Sequence, residues 1–369
     1  MGLRTRVTGD PLRQLAAEGV SLWLGGAGRR EVASGLLGRL VRGGSVTGAT
    51  GVFHELADLV ATPAYRGHLA ELASLGASAE QAARMLICHD LRAVCDTLLP
   101  LWESGRGADG QVCAVVGHTA DAATAAAEAR WLHWTVDRPN LLVLLPADAV
   151  GLAAMRRCLA EGIGVGAGPV HTEHEYQEVL AAWFDGLEQA LAAGLPVHRI
   201  PSVVRVPVAR VDAEVRAAAS AAAGPLPPPP AGQAGIAVAR VVFGAHERVS
   251  RDPRWRMLGR AGARVPRLVF GVGADSVPVY AGGLVSSGAV QELTEDGLRQ
   301  LTGSVVLMEG DTLSGRRLSA RDDLERLAES GVRWPELARD LRGEAPRRRH
   351  RAWRAVVDAV ARELALAGR

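Results

Sequence analysis

The stretch Asp137-Arg138-Pro139-Asn140-Leu141-Leu142-Val143-Leu144-Leu145-Pro146-Ala147 holds a short apolar run bracketed by prolines, and an Ala/Leu/Arg-rich segment follows at once over residues 147–160. One strand leading into one helix is the reading this pattern supports. The same unit recurs along the chain. β-like runs are predicted at residues 20–24, 46–49, 112–116, 141–145, 163–170, 203–206, 267–271 and 289–291. Helical segments stand between them, among them residues 119–133, 147–160, 173–193 and 235–248. Strands alternating with helices at this spacing argue for βα units and a parallel sheet. Eight such units predict an α/β fold, a single closed (β/α)8 TIM barrel.

A chain of 369 residues suits one such barrel or two ordinary domains. The low-complexity stretch at residues 221–231, with four prolines at 227–230, is a stiff connector, because proline cannot donate to a ladder or a helix interior. The βα pattern resumes beyond it, so it is expected to be a surface loop within one domain over residues 1–369. The net charge of +2 is too small to argue for nucleic acid. Cys88, Cys95, Cys113 and Cys158 lie in apolar contexts without paired metal spacing and read as reduced core residues of a cytoplasmic protein. The first twelve residues lack the apolar run of a secretory signal, and no stretch approaches the length of a membrane span.

All 42 basic residues are arginine, and the chain contains no lysine. Drift toward arginine, alanine and glycine codons accounts for part of this, although lysine is ordinarily among the commonest residues. The chemical consequence does not depend on the cause. Lysine can condense with a ketone or aldehyde to form a Schiff base, whereas a guanidinium stays protonated and is not a nucleophile.

Several segments, in order along nearly the whole chain, resemble transaldolase of the actinobacterial type. Leu12-Arg13-Gln14-Leu15, then Gly19-Val20-Ser21-Leu22-Trp23-Leu24 and Arg29, are similar to that family's first strand. The stretch from Asp137 to Ala147 resembles its Arg-Pro-Asn-apolar-Lys-apolar-Pro-Ala-Thr strand. Further likeness lies at Gly151-Leu152, Ala160-Glu161-Gly162-Ile163, Tyr176, Ser202-Val203, and Arg210-Val211-Asp212-Ala213-Glu214-Val215. It continues through Ile236-Ala237, Asp252, Arg254-Trp255 and Ala261-Gly262-Ala263-Arg264 to Gly310-Asp311-Thr312-Leu313-Ser314-Gly315. The resemblance implies a (β/α)8 barrel with its ligand site at the carboxyl ends of the strands.

Carried over position by position, the resemblance puts the family's Schiff-base lysine at Leu144 and its catalytic Glu at Val115. Its first-strand Asp falls on Gly25, and its Thr-Asn-Pro run on Thr50-Gly51-Val52-Phe53. The Thr ending the lysine strand becomes Asp148, the fifth strand's Asn and Thr become Gly166 and Gly168, and the sixth strand's Ser becomes Arg205. A phosphate loop with its own lysine becomes Gly273-Ala274-Asp275-Ser276-Val277-Pro278. Arg210 matches a phosphate-contacting arginine, with Asp212 beside it. Leu144 cannot attack a carbonyl, and Val115 cannot move a proton.

New polar residues fall at the same strand ends. His118, Asp148 and His171, with His174 and Glu175 close behind, are candidates for acid–base work. The His171-Thr172-Glu173-His174 spacing is loose beside known zinc signatures, so no metal and no cofactor is assigned; the bland alternative is that these groups are structural or solvated. Arg205 and Arg210 suit a phosphate or carboxylate, the alternative being ion pairs with Asp212, Glu214 or Asp148. Trp131, His133, Trp134 and Trp183 are expected to pack helices on the barrel. Arg347-Arg348-Arg349-His350-Arg351, with Trp353 and Arg354, is expected to begin the last helix, as a solvated face or a contact for an acidic partner.

Two readings of function follow. One is a transaldolase-like barrel without Schiff-base chemistry, acting as a binding or partner protein. The other is an enzyme of altered, lysine-independent mechanism acting on a sugar phosphate or other acidic small molecule. No nucleic acid or membrane partner is expected; a protein partner or a homodimer is compatible with either.

Overall fold

A computed structural model describes residues 5–6, 10–117, 121–222, 227–274, 276–304, 307–308 and 310–367. His118, Asp275 and residues 223–226 of the proline-rich stretch lie outside the described residues. A short strand β1 (Thr5–Arg6) comes first. The barrel strands follow as β2 (Ser21–Ala27), β3 (Gly48–Gly51), β4 (Gln111–Val115), β5 (Leu141–Leu145), β6 (Val165–Ala167), β7 (Ser202–Val206), β8 (Arg267–Gly271) and β9 (Val290–Leu293). They form a closed parallel barrel in chain order, with β9 returning to β2. Outside it, β1 pairs antiparallel with β10 (Leu307–Met308), a pairing the sequence reading did not foresee.

The two-residue period of a strand sorts each side chain inward or outward. Inward-facing Trp23, Cys113, Leu142, Val203, Val269 and Val290 form a small cluster of their own inside the barrel. Their outward neighbours, such as Leu24, Ala114, Val143 and Val204, join the larger core between barrel and helices. Gly48 makes room for the largest interior residue: a Cβ there would lie 2.4 Å from the Trp23 indole nitrogen. The strand β2 runs three residues past its predicted end, through a bulge at Gly25 and Gly26, where Gly26 takes a φ of +70°.

Beyond strand and helix limits, two expectations need correction. Trp134 does not pack on the barrel; it is 71% exposed. The arginine cluster does not begin the last helix. It lies inside Trp334–Ala367, which passes through Pro346 without ending. All four cysteines are buried and free. Among the described residues, no helix is long and apolar enough to cross a membrane.

Candidate functional site at the barrel mouth

Inward-pointing residues at the carboxyl ends of the strands converge on one mouth. Arg205 of β7 reaches across to Glu292 of β9, with Nε 2.8 Å and Nη2 2.7 Å from Oε2. Glu292 is 4% exposed, and its other oxygen, Oε1, accepts no hydrogen bond from any described residue. Glycines give the pair its space. A Cβ on Gly25 would stand 3.3 Å from Glu292 Oε1, and one on Gly271 would stand 3.8 Å from both partners. The Glu292 carboxylate raises the affinity of Arg205 for its proton by more than burial lowers it.

Glu55 is drawn to the same region. The bulge carries Gly26 so close that a Cβ would lie 2.8 Å from Glu55 Oε1, and Oε2 accepts from the Phe53 amide at 3.1 Å. The mouth is also crossed from above. In the carboxy-terminal helix Arg342 pairs with Glu178 at 2.8 Å, Arg348 with Glu214 at 3.6 Å, and Trp353 stacks on Phe53 with ring centroids 6.2 Å apart. Gly117, just beyond β4, packs beneath Trp353; a Cβ on it would be 3.2 Å from the indole. Arg349 lies one turn before Trp353 on the same face. Burial lowers its pKa, and Asp148 opposes that.

The residues singled out from sequence have separate local attachments. Leu144 is 8% exposed and lies over Gly166, where a Cβ would come within 2.9 Å of it. Val115, its register partner, is half-buried. Asp148 caps the helix Ala149–Ala160, accepting from the Gly151 amide at 2.9 Å. His171 is 3% exposed; its amide donates to Glu175 Oε2 at 2.7 Å, and its Nδ1 lies 3.3 Å from the same oxygen. His174 is exposed, beside Glu178. Arg210 is exposed and paired with Glu214, one turn on in its own helix. Asp212 is buried, and among the described residues no arginine engages it: it accepts from the amides of Gly232, Ala234 and Gly235 at 3.0–3.1 Å and from the Tyr280 hydroxyl at 2.5 Å. Among the described residues, no group of three His, Cys, Asp or Glu side chains could hold a metal.

The acidic partner of Arg205 is therefore Glu292, which the sequence reading missed. The available signal was a carboxylate at the end of the eighth barrel strand, where alternation with Val290 turns it inward. What the mouth presents chemically is a buried carboxylate neutralised by one guanidinium, under an apolar roof formed by Phe53 and Trp353.

Comparison with known proteins bears on this arrangement. Residues 36–265 match the family described as Transaldolase/Fructose-6-phosphate aldolase. The chain is 35% identical to a Thermobifida fusca protein named Transaldolase over 365 residues, covering 97% of this chain and 99% of the relative. It is 33% identical to the Transaldolase of Acidothermus cellulolyticus, covering 98% of each chain. It is also 33% identical to Transaldolase 1 of Streptomyces avermitilis, covering 97% of this chain and 96% of the relative.

Proposed function

The chain belongs to the transaldolase family, and from that premise we propose that it keeps the family's barrel without its Schiff-base reaction and acts as a binding or partner protein in carbohydrate metabolism. The observation that carries this is the absence of lysine from all 369 residues. A Schiff base requires an amine that can lose its proton and attack a carbonyl carbon. A guanidinium does neither at ordinary pH. Leucine at position 144 offers only hydrocarbon to the mouth, and Val115 beside it supplies no proton acceptor. The groups that could carry proton transfer or hold a phosphate are committed elsewhere: Arg205 to Glu292, Arg210 to Glu214, His171 to Glu175. The purified chain should show no dihydroxyacetone transfer from fructose 6-phosphate above a protein-free blank. Turnover that scales with protein concentration and survives repurification overturns the reading.

One observation favours the second reading, a lysine-independent enzyme. Glu292 Oε1 has no hydrogen-bond donor among the described residues, while Oε2 is fixed by Arg205. A buried carboxylate with one oxygen engaged and the other open is placed as a general base would be. On this reading the substrate is a phosphorylated or acidic small molecule, with its anion met by Arg349. The two readings separate on Glu292→Gln, which should abolish any activity found on the second and change only stability on the first.

A further inference from the structure

The bulge in β2 gathers open oxygens at the barrel mouth. Leu24 lies in register with Ala49 and Ala27 with Gly51, so Gly25 and Gly26 together oppose Thr50. Thr50 faces the barrel interior: its neighbour Ala49 joins the outer core, and its register partner Cys113 belongs to the inner cluster. Glu292 borders the bulge from β9, as the register partner of inward-facing Trp23. Three acceptors thus surround the space that two missing side chains leave. Glu292 Oε1 would stand 3.3 Å from a Cβ on Gly25, Glu55 Oε1 would stand 2.8 Å from one on Gly26, and Thr50 Oγ1 lies opposite both.

Glu292 is 4% and Thr50 6% exposed, yet none of the three oxygens has a hydrogen-bond partner among the described residues. Side-chain atoms that are both partnerless and fully enclosed include Gln111 Oε1 and Gln291 Oε1 but none of these three, which keep accessible surface. The space is reached from outside, since Gly25, Gly26, Val115 and Gly271 are only half-buried. The charge beside it is negative. Arg205 lies against Glu292 and feels Glu55 as a weaker second carboxylate. Burial, reinforced by Glu292, keeps the Cys113 thiol protonated. Arg349 faces Asp148. The Glu55 charge is left over, with only the exposed His54 beside it, 3.5 Å from Oε2, among the described residues.

An ammonium ion supplies what this arrangement lacks, one positive charge and three N–H donors. A divalent metal fits less well: no group of three His, Cys, Asp or Glu side chains among the described residues could hold one. On the reading that the mouth binds without Schiff-base chemistry, we propose that its ligand is a small primary amine, held as the ammonium by Glu292 Oε1, Glu55 Oε1 and Thr50 Oγ1. The two carboxylate contacts are charge-assisted, and the Thr50 hydroxyl fixes the direction of the third N–H. No covalent step is involved.

The probe is n-propylamine, titrated calorimetrically into the full chain at pH 8, where it is protonated, beside propan-1-ol, propionate and the N-trimethylated amine. Saturable binding of the primary amine is expected, at least about tenfold tighter than the alcohol or the trimethylated ion, which lacks N–H donors. Propionate should not bind. Glu55→Gln keeps an acceptor for the Phe53 amide and removes the surplus charge, and it should weaken the amine about tenfold. Thr50→Val removes a partnerless hydroxyl at nearly constant volume; it should weaken the amine about threefold or more and leave the urea midpoint no lower. Glu103→Gln, at an exposed carboxylate near the end of the helix Ala79–Ser104, should bind unchanged. The assignment is overturned by a lack of saturable amine binding, by equal affinity for the trimethylated ion, by binding of propionate instead, by full affinity in both Glu55→Gln and Thr50→Val, or by the same loss in Glu103→Gln. These outcomes are read apart from turnover of fructose 6-phosphate, which alone decides whether Schiff-base chemistry is lost.

Discussion

Arg205 and Glu292 stand 87 residues apart in the chain and 2.7 Å apart inside the barrel. The resemblance to transaldolase places a serine of the family at position 205, so a small hydroxyl has given way to a long cation that needs an anion. Glu292 supplies it. The guanidinium and the carboxylate thereby neutralise one another inside the mouth.

Removing one member of this pair should cost more than removing both. Arg205→Met leaves Glu292 buried without its cation and should destabilise the protein by about 2 kcal/mol. This is below the roughly 3–5 kcal/mol of a fully buried pair, because the Arg205 side chain retains 38% exposure. Arg205→Met/Glu292→Leu should recover at least half of that loss, since apolar replacements of buried pairs are often neutral or better. Urea denaturation of the single and double variants measures this. Strict additivity of the two single losses would show that the pair is not coupled.

A second prediction concerns acid. His246 accepts or shares the Tyr176 hydroxyl proton at 2.8 Å, and burial lowers its pKa from the usual 6.5 to about 4. Below pH 6.5 the unfolded chain takes up a proton at this residue that the folded chain refuses until about pH 4. The stability it contributes is therefore complete above pH 6.5 and falls as pH drops from 6.5 to 4, by up to about 1.4 kcal/mol per unit. His246→Gln should flatten the urea midpoint against pH in that window. An unchanged slope in the variant contradicts the assignment.

Installing the missing amine should not restore the reaction. Leu144→Lys puts an ammonium against Gly166 and Val203, with Val115 where a carboxylate would be needed. Desolvation lowers its pKa, yet the neighbour in register is Val115, which cannot move the substrate proton. Dihydroxyacetone transfer from fructose 6-phosphate by this variant should stay at background. Appreciable turnover would mean that the proton-transfer machinery is present and unrecognised.

The fold was legible because each barrel strand is a short apolar run between helical segments, and all eight predicted strands lie in the barrel. Their limits were less so. The first strand was expected to end at Leu24, yet the bulge at Gly25 and Gly26 carries β2 on to Ala27. The arginine cluster read as the start of the last helix, yet that helix begins at Trp334 and runs through Pro346, where burial of Trp353, Val356 and Val360 outweighs the local preference of proline. The site was less legible still. Lost side chains such as Leu144 can be read at a single position, whereas the new contact of Arg205 depends on barrel closure, which brings a distant strand opposite it. Local sequence also hides the assignment of Asp212 to three amides at the start of the helix that follows and to the hydroxyl of Tyr280, 68 residues on.

The most direct test of a transaldolase-family barrel without Schiff-base chemistry is trapping. The protein is incubated with fructose 6-phosphate, reduced with borohydride, digested and mapped by mass spectrometry. The account predicts no sugar-derived mass on any internal peptide, because the chain has no lysine to carry it. A dihydroxyacetone or hexose phosphate adduct located on an internal side chain would contradict it.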